Sequence, residues 1–173
     1  MSGLQNFKFE SLREGDRSAI SGWLEGHLLQ HMKWWSGEIG PSWSDAHIRE
    51  HLREHQLVEK EWSELWTDSL KEDRFVTVAR SQEDKPLGVV WGSVRQDRYF
   101  RHYRGELNWI CVEPQERRRG IAALLMDWAD LWFKGREVRS YELFATGLNR
   151  SAIELYKKRG YKVVDVRMLR GTH

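Results

Sequence analysis

Between Glu106 and Leu125 the chain sets a carboxylate, a proline stop and a run of arginines in direct succession: Glu-Leu-Asn-Trp-Ile-Cys-Val-Glu-Pro-Gln-Glu-Arg-Arg-Arg-Gly-Ile-Ala-Ala-Leu-Leu. A strand-like segment ends before Pro114, and Arg117, Arg118, Arg119 and Gly120 then open an apolar helix. The first N–H groups of a helix have no partner within it and that end of the helix dipole is positive, so the layout suits an anion such as a phosphate. Gly120 lets the backbone approach closely. The N–H groups of Arg119, Gly120, Ile121 and Ala122 would supply the geometry, and the guanidiniums would add charge. Taken alone, three arginines in a turn also read as a solvated surface.

Other residues could carry chemistry. His51-Leu52-Arg53-Glu54-His55 matches an inverted zinc-protease string, with His47 one turn earlier, but no third ligand or supporting shell is marked, so no metal is expected. Cys111 has no His and Asp constellation assigned to it and reads as an inert thiol. Asn149-Arg150-Ser151 is formally a glycosylation sequon, accidental in a chain without a secretion signal. Arg95, Arg98, Arg101 and Arg104, interleaved with Tyr99, Phe100 and Tyr103, resemble an RNA-contacting segment. A solvated hairpin or a subunit contact is the preferred reading.

The elements that would position these residues follow from periodicity and punctuation. Phe7 to Leu12 alternates like a short strand, and Asp16 can cap a helix from about Arg17 to His31. Met32 to Trp43, with Gly37, Gly40 and Pro41, predicts a loop bearing Trp34, Trp35 and Trp43. Ser44 should cap one long helix to about Leu70, with Ile48, Leu52, Leu57, Trp62, Leu65 and Trp66 as its buried stripe. Arg74 to Arg80 and Leu87 to Val94 read as a hairpin. The strand Glu106 to Val112 enters the arginine turn, and the helix after Gly120 carries Ile121, Leu125, Trp128 and Trp132 on one face. Val138 to Thr146 is the next strand. Ser151 with Glu154 forms a capping box for a helix ending at Gly160, and Tyr161 to Leu169 closes as a strand. Strands four and five, joined by one helix, should run parallel within a mixed sheet.

At 173 residues, with 31% charged and 40% hydrophobic residues, the chain predicts a single globular domain over 1–173. A net charge of +2 argues against an extended nucleic-acid surface. One cysteine excludes an internal disulfide. The opening Met1-Ser2-Gly3-Leu4 lacks the features of a secretory signal, and no apolar run is long enough to span a bilayer, so a cytoplasmic setting without membrane contact is expected.

Two ordered motifs resemble the GCN5-related N-acetyltransferase family. A strand ending Val-x-Pro before the acyl-CoA signature corresponds to Val112, Pro114 and Arg117-Arg118-Arg119-Gly120-Ile121-Ala122. The later Asn-x-x-Ala, Leu-Tyr and Gly-Tyr signature corresponds to Asn149, Ala152, Leu155-Tyr156 and Gly160-Tyr161. Leu12 to Asp16 is similar to the family's first strand and helix cap, and residues 17–72 match only loosely.

The resemblance implies an α/β (α+β) fold with a mixed, mostly antiparallel sheet of six to seven strands flanked by helices. It implies acetyl-CoA as acyl-donor co-substrate, bound by Ile110, Cys111, Val112, Arg117 to Ala122, Asn149 and Tyr156, with the Ile110 N–H holding the thioester carbonyl. A primary amine would attack the thioester directly, through a tetrahedral intermediate. Glu106, eleven residues before the signature, would be the base, directly or through water, and Tyr156 the general acid near sulfur. A strand-edge salt bridge is the alternative for Glu106, core packing for Tyr156, and turn chemistry for Asn149. Strict alternation would put Glu106, Asn108, Ile110 and Val112 on one face and Leu107, Trp109 and Cys111 on the other.

The family's acceptor wall falls in residues 17–72. Trp23, Trp34, Trp35 and Trp43, with Glu54, Glu59, Glu61 and Glu64, suit a small cationic amine as acceptor. Core packing, or a surface for a homodimer, is the other use of these indoles. A non-catalytic acyl-CoA-binding module and a protein or peptide N-acetyltransferase are the competing functions.

Overall fold

A computed structural model describes residues 7–170; the N-terminal residues read above as lacking a secretory signal lie outside them. The elements are β1 (Lys8–Ser11), α1 (Arg17–Ile39), α2 (Asp45–Glu54), α3 (Leu57–Ser69), β2 (Arg74–Arg80), β3 (Pro86–Gln96), β4 (Tyr103–Val112), α4 (Ile121–Lys134), β5 (Ser140–Leu143) and α5 (Arg150–Lys158). They fall into two compact units. One takes in residues 7–23 and 60–144, the other residues 24–59 and 145–170.

The first unit holds the whole sheet, in the order β1-β2-β3-β4-β5. The first four strands pair antiparallel, and β5 joins β4 in parallel, as a single-helix crossover through α4 requires. The α+β architecture with a mixed sheet agrees with the sequence reading, but five strands form among the described residues instead of six to seven. Residues 161–170 carry no regular structure. Val163, Val164, Val166 and Met168 there are each at least 70% exposed. Their strand propensity has no ladder partner to act on, and an unpaired run of β-branched residues gains nothing from extension.

Sheet and α4 fit because two strand positions lack side chains. A Cβ on Gly105 would lie 2.5 Å from the Phe133 ring, and one on Gly88 would lie 3.1 Å from Leu125. Ile121, Leu125, Met126, Ala129 and Phe133 are buried on α4, and Phe75 of β2 packs its ring against Trp128, Trp132 and Phe133. At the other edge Arg80, 2% exposed, gives two hydrogen bonds to Asp16, at 2.8 and 2.6 Å. That pair closes the turn between β1 and α1 onto β2. Asp16 is thus a buried ion-pair partner that also accepts the Arg13 N–H at 2.8 Å.

In the second unit, α1 runs eight residues past the predicted end, so Trp34 and Trp35 are helical and not in a loop. Gly37 does not break the helix; its missing side chain makes room for the returning chain, since a Cβ would lie 2.8 Å from Ser42 Oγ. Gly40 and Pro41 end it. The long second helix is instead two. Ser44 caps α2, its Oγ accepting the His47 N–H, but Gln56 adopts φ 51° and breaks the run before α3. Of the predicted stripe, Ile48 and Leu52 here, and Trp62 and Leu65 in the first unit, are buried, whereas Leu57 and Trp66 are half-buried.

Gly105→Ala is expected to destabilise the protein by roughly 1–3 kcal/mol in urea unfolding, because the added methyl must displace Phe133 in a packed layer. An unchanged midpoint would show that this layer is not tightly filled.

Candidate active site

In the first unit β4 carries one residue more than β3 can match. Trp91 pairs with Trp109 and Gly92 with Leu107, which leaves Asn108 opposite no residue: a β-bulge. Pairs across an antiparallel ladder point the same way, so the extra residue reverses the alternation along β4. Val112 pairs with Gly88 and Gly105 with Val94, on the α4 side. Leu107, Ile110 and Val112 therefore face α4. Glu106, Trp109 and Cys111 face away from it, and Ser93 Oγ on that side donates to Asn108 Oδ1 at 3.1 Å. Strict alternation had put Ile110 and Val112 with Glu106 and turned Cys111 away; the bulge overturns both.

The parallel ladder between β4 and β5 covers only Arg104 to Leu107, paired with Ser140 to Leu143. It ends one residue before the bulge. Beyond that point the β5 side of β4, from Asn108 to Val112, is a strand edge, the kind of surface that accepts another extended chain.

Past Val112 the chain makes a 3-10 turn, Pro114–Glu116, and enters α4 through two left-handed residues, Arg118 (φ 65°) and Gly120 (φ 82°). Gly120 is the N-cap, and no side chain caps the helix. Successive turns of this sort aim backbone N–H groups into a common concavity that favours an anion. Arg117, Arg118 and Arg119 are exposed. Arg117 Nε donates to the Val112 carbonyl at 3.2 Å, which fixes the loop to the end of β4, and Arg119 pairs with Glu116. Cys111 is half-buried, and burial pushes its thiol up to about 11, only partly offset by the Arg117 charge. A thiol held protonated is not a nucleophile at neutral pH.

Glu106 has a side chain 20% exposed, with Arg95 Nε 3.6 Å from its Oε2. An ion pair thus exists, as the alternative reading of this residue anticipates, but at that distance it is not a hydrogen bond.

The second unit carries the remaining sequence candidates. Asn149, not Ser151, is the N-cap of α5, its Oδ1 accepting the Ala152 N–H at 3.4 Å, so the predicted Ser151–Glu154 box is replaced by an Asn cap one turn-start earlier. Tyr156 is half-buried beside Tyr161, ring centroids 5.8 Å apart, and burial raises its phenol above the ordinary range. Trp35 lies under the Arg167 guanidinium at 4.9 Å. Trp43 meets His47 and His51 edge-on, at 4.6 and 5.3 Å, and Trp34 is half-buried. Trp23 belongs to the first unit. It is 6% exposed and its Nε1–H donates to Glu113 Oε2 at 2.6 Å, so this indole is a core residue. Among the described residues no group of three or more His, Cys, Asp or Glu is arranged to hold a metal ion, and no helix is long and apolar enough to cross a membrane.

A profile of the Acetyltransferase (GNAT) family matches residues 29–161. The chain belongs to that family. Members of that family use acetyl-CoA as acyl donor. The chain is 32% identical over 110 residues to an uncharacterised N-acetyltransferase of Methanocaldococcus jannaschii, a match taking in 61% of the chain and 46% of the relative. It therefore spans under half the length of that curated protein. A point-mutant protein from Bacillus halodurans superposes with a TM-score of 0.73 at 14% identity, over 96% of this chain and 99% of that one. An aminoglycoside antibiotic 6'-N-acetyltransferase from Acinetobacter baumannii gives 0.58 at 16% identity, over 96% and 98%. At such identities these likenesses speak for the fold alone.

The Cys111 thiol makes stability depend on alkaline pH. Its ordinary value is 9.0 and its folded value about 11, so between them the unfolded chain has released a proton that the folded chain retains. Stability should fall as pH rises from 9 to 11, and less steeply in Cys111→Ala. Urea midpoints across that range measure it; equal slopes for the two proteins would contradict the assignment.

Proposed function

We propose that this GNAT protein transfers acetyl from acetyl-CoA to a primary amine, with a small cationic amine as the acceptor class. The observation that carries this reading is the junction at Asn108. The bulge, the end of the β4–β5 ladder and the uncapped start of α4 lie along one strand and the loop that follows it. The loop from Arg117 to Ala122 fits the pyrophosphate of CoA, through N–H groups that no side chain caps and arginines beside them. The edge of β4 from Asn108 to Val112 fits the extended pantetheine arm, with the Ile110 N–H as donor to the thioester carbonyl. The arm's acyl thioester supplies the electrophile.

Glu106 receives the ammonium proton, directly or through one water, leaving the nitrogen lone pair free to attack. Its lone pairs are not consumed by Arg95, which stays at ion-pair distance. Tyr156 donates the proton that the departing thiolate needs. Burial raises its phenol, which keeps that proton in place at neutral pH. Asn149 is assigned to the cofactor arm. These two assignments rest on motif position.

The acceptor class rests on Trp34, Trp35 and Trp43 in the second unit. Arg167 over Trp35 illustrates the affinity of these rings for cations. Trp23, spent on Glu113, plays no part in the proposed pocket.

Acetyl-CoA at 100 times its Kd should stabilise the protein by about 2.7 kcal/mol. Glu106→Gln should preserve that shift yet lower CoA release across an amine panel by roughly 100-fold near neutral pH, with partial recovery at higher pH as free amine accumulates. Normal turnover would remove Glu106 as the base. Tyr156→Phe should likewise spare acetyl-CoA affinity more than rate. A panel in which peptides alone are acetylated would reject the small-amine class, and binding without turnover on any amine would favour a CoA-sensing module.

Gly120→Ala tests the loop separately. No atom lies within 4 Å of the added methyl, so its cost is the left-handed backbone alone, about 1–2 kcal/mol. If the loop conformation is what grips the cofactor, acetyl-CoA affinity should fall about tenfold. Unaltered affinity would place the phosphates elsewhere.

A further inference from the structure

The Glu106 carboxylate does not stand alone on its face of the sheet. In the β4–β5 register Glu106 is the direct partner of Glu142, so two carboxylates sit side by side on neighbouring strands. Like charges in that position repel. Arg95, on β3, lies against both: its Nη2 donates to Glu142 Oε1, and its Nε stands 3.6 Å from Glu106 Oε2. Arg104 closes the other side, with Nη1 3.1 Å from Glu142 Oε2 and Nη2 2.9 Å from Asp97 Oδ2. Asp97 in turn accepts the N–H groups of Tyr99 and Phe100 at 2.8 and 2.7 Å, which fixes it to the hairpin tip. The result is an alternating row, Glu106, Arg95, Glu142, Arg104, Asp97, anchored at its far end by backbone.

The row ends asymmetrically. Glu142 receives hydrogen bonds from both arginines, whereas Glu106 receives only the charge of Arg95. Arg95 is thus directed by Glu142, and its Nε faces Glu106 without capping it. A base needs this combination: a neighbouring cation that offsets the repulsion from Glu142, and an oxygen free to accept a proton. We propose that Arg95, held by Glu142, is the positioning residue that orients the Glu106 carboxylate and leaves its acceptor oxygen open. The proposal deepens the reading of Glu106 as base and rests on it for its catalytic meaning. The juxtaposition of the three side chains can be tested without it.

The charged groups beside Glu106 on this face of the sheet are Arg95, Arg104, Glu142 and Asp97; Arg74, with Asp68 and Lys71 from the end of α3, lies farther off, and Glu10 and Arg80, joined to Asp16, face the same way at the β1 edge. Arg74 is two strands from Glu106, through Ser93, and its Nη1 is bonded to Asp68 at 2.7 Å. Arg95 is therefore the cation that couples to Glu106.

Carboxyl 13C NMR at one neutral pH reads the contact without any acceptor. In protein labelled at glutamate side chains, the Glu106 signal is assigned by its disappearance in Glu106→Gln. It is expected to move in Arg95→Met, which removes the guanidinium beside it, and in Glu142→Gln, which releases Arg95 from its present orientation. Arg95→Lys should move it less than Arg95→Met. A signal unmoved in both Arg95→Met and Glu142→Gln would overturn the proposal, and Glu142→Gln carries the comparison if Arg95→Met does not fold. Acetyl transfer to spermidine then links the device to chemistry: Arg95→Met should lower kcat at least tenfold at neutral pH with KM for acetyl-CoA within threefold, and Arg95→Lys should recover part of that loss. A moved signal without a loss of turnover would sink the Glu106 base while leaving the charge row intact. Lost turnover in Glu106→Gln with an unmoved signal in Arg95→Met would sink the positioning role alone.

Discussion

One residue in excess on β4 governs where the chemistry of this chain can occur. A strand whose pairing ran unbroken from Tyr103 to Val112 would put Glu106 on the same side as Ile110 and Val112, the side that α4 fills. With Asn108 bulged out, the apolar residues Leu107, Ile110 and Val112 all turn toward α4, and Glu106 turns to the other side. The core and the candidate base are thereby reconciled on a single strand, which strict alternation could not do with this sequence. The bulge also coincides with the end of the β5 ladder, so the strand edge becomes available where the facing changes.

This explains what was legible in the residues and what was not. The β2–β3 hairpin, the helix after Gly120 and the parallel crossover follow from local patterning, because each has a clear period and clear stops. The arginine loop was legible for the same reason: Gly120 at the mouth of an apolar helix has few other uses, and its φ of 82° accounts for the residue type. The facing of Cys111 was not legible. A bulge leaves no mark in a run such as Leu-Asn-Trp-Ile, and the register that creates it depends on β3, far along the chain. Asn108 is the sole polar residue between Leu107 and Val112, and it is the one hint in the sequence.

The remaining misses share a cause, which is that punctuation residues were read for their backbone preference when packing used them otherwise. Gly37 looked like a loop residue and is a helical position that admits Ser42. Nothing marked His55-Gln56 as a break, yet the chain turns there with a left-handed glutamine. Ser151 and Glu154 satisfy the capping pattern, but Asn149 reaches the free N–H groups first. Local rules name the residues able to cap or break; only the surrounding structure selects among them.

Charge and burial divide the labour between the two edges of the sheet. Arg80 and Asp16 are buried together and serve the fold, since removing either partner would strand the other in the core. Arg95 and Glu142 sit at the rim, at 55% and 23% side-chain exposure, where an ion pair adds little to stability because water competes for both groups. Arg95 and Glu142 at such a rim are therefore poorly explained by folding energy. They are better explained by the electrostatics of the residue they lie beside, Glu106, whose own pairing is the longest in the row.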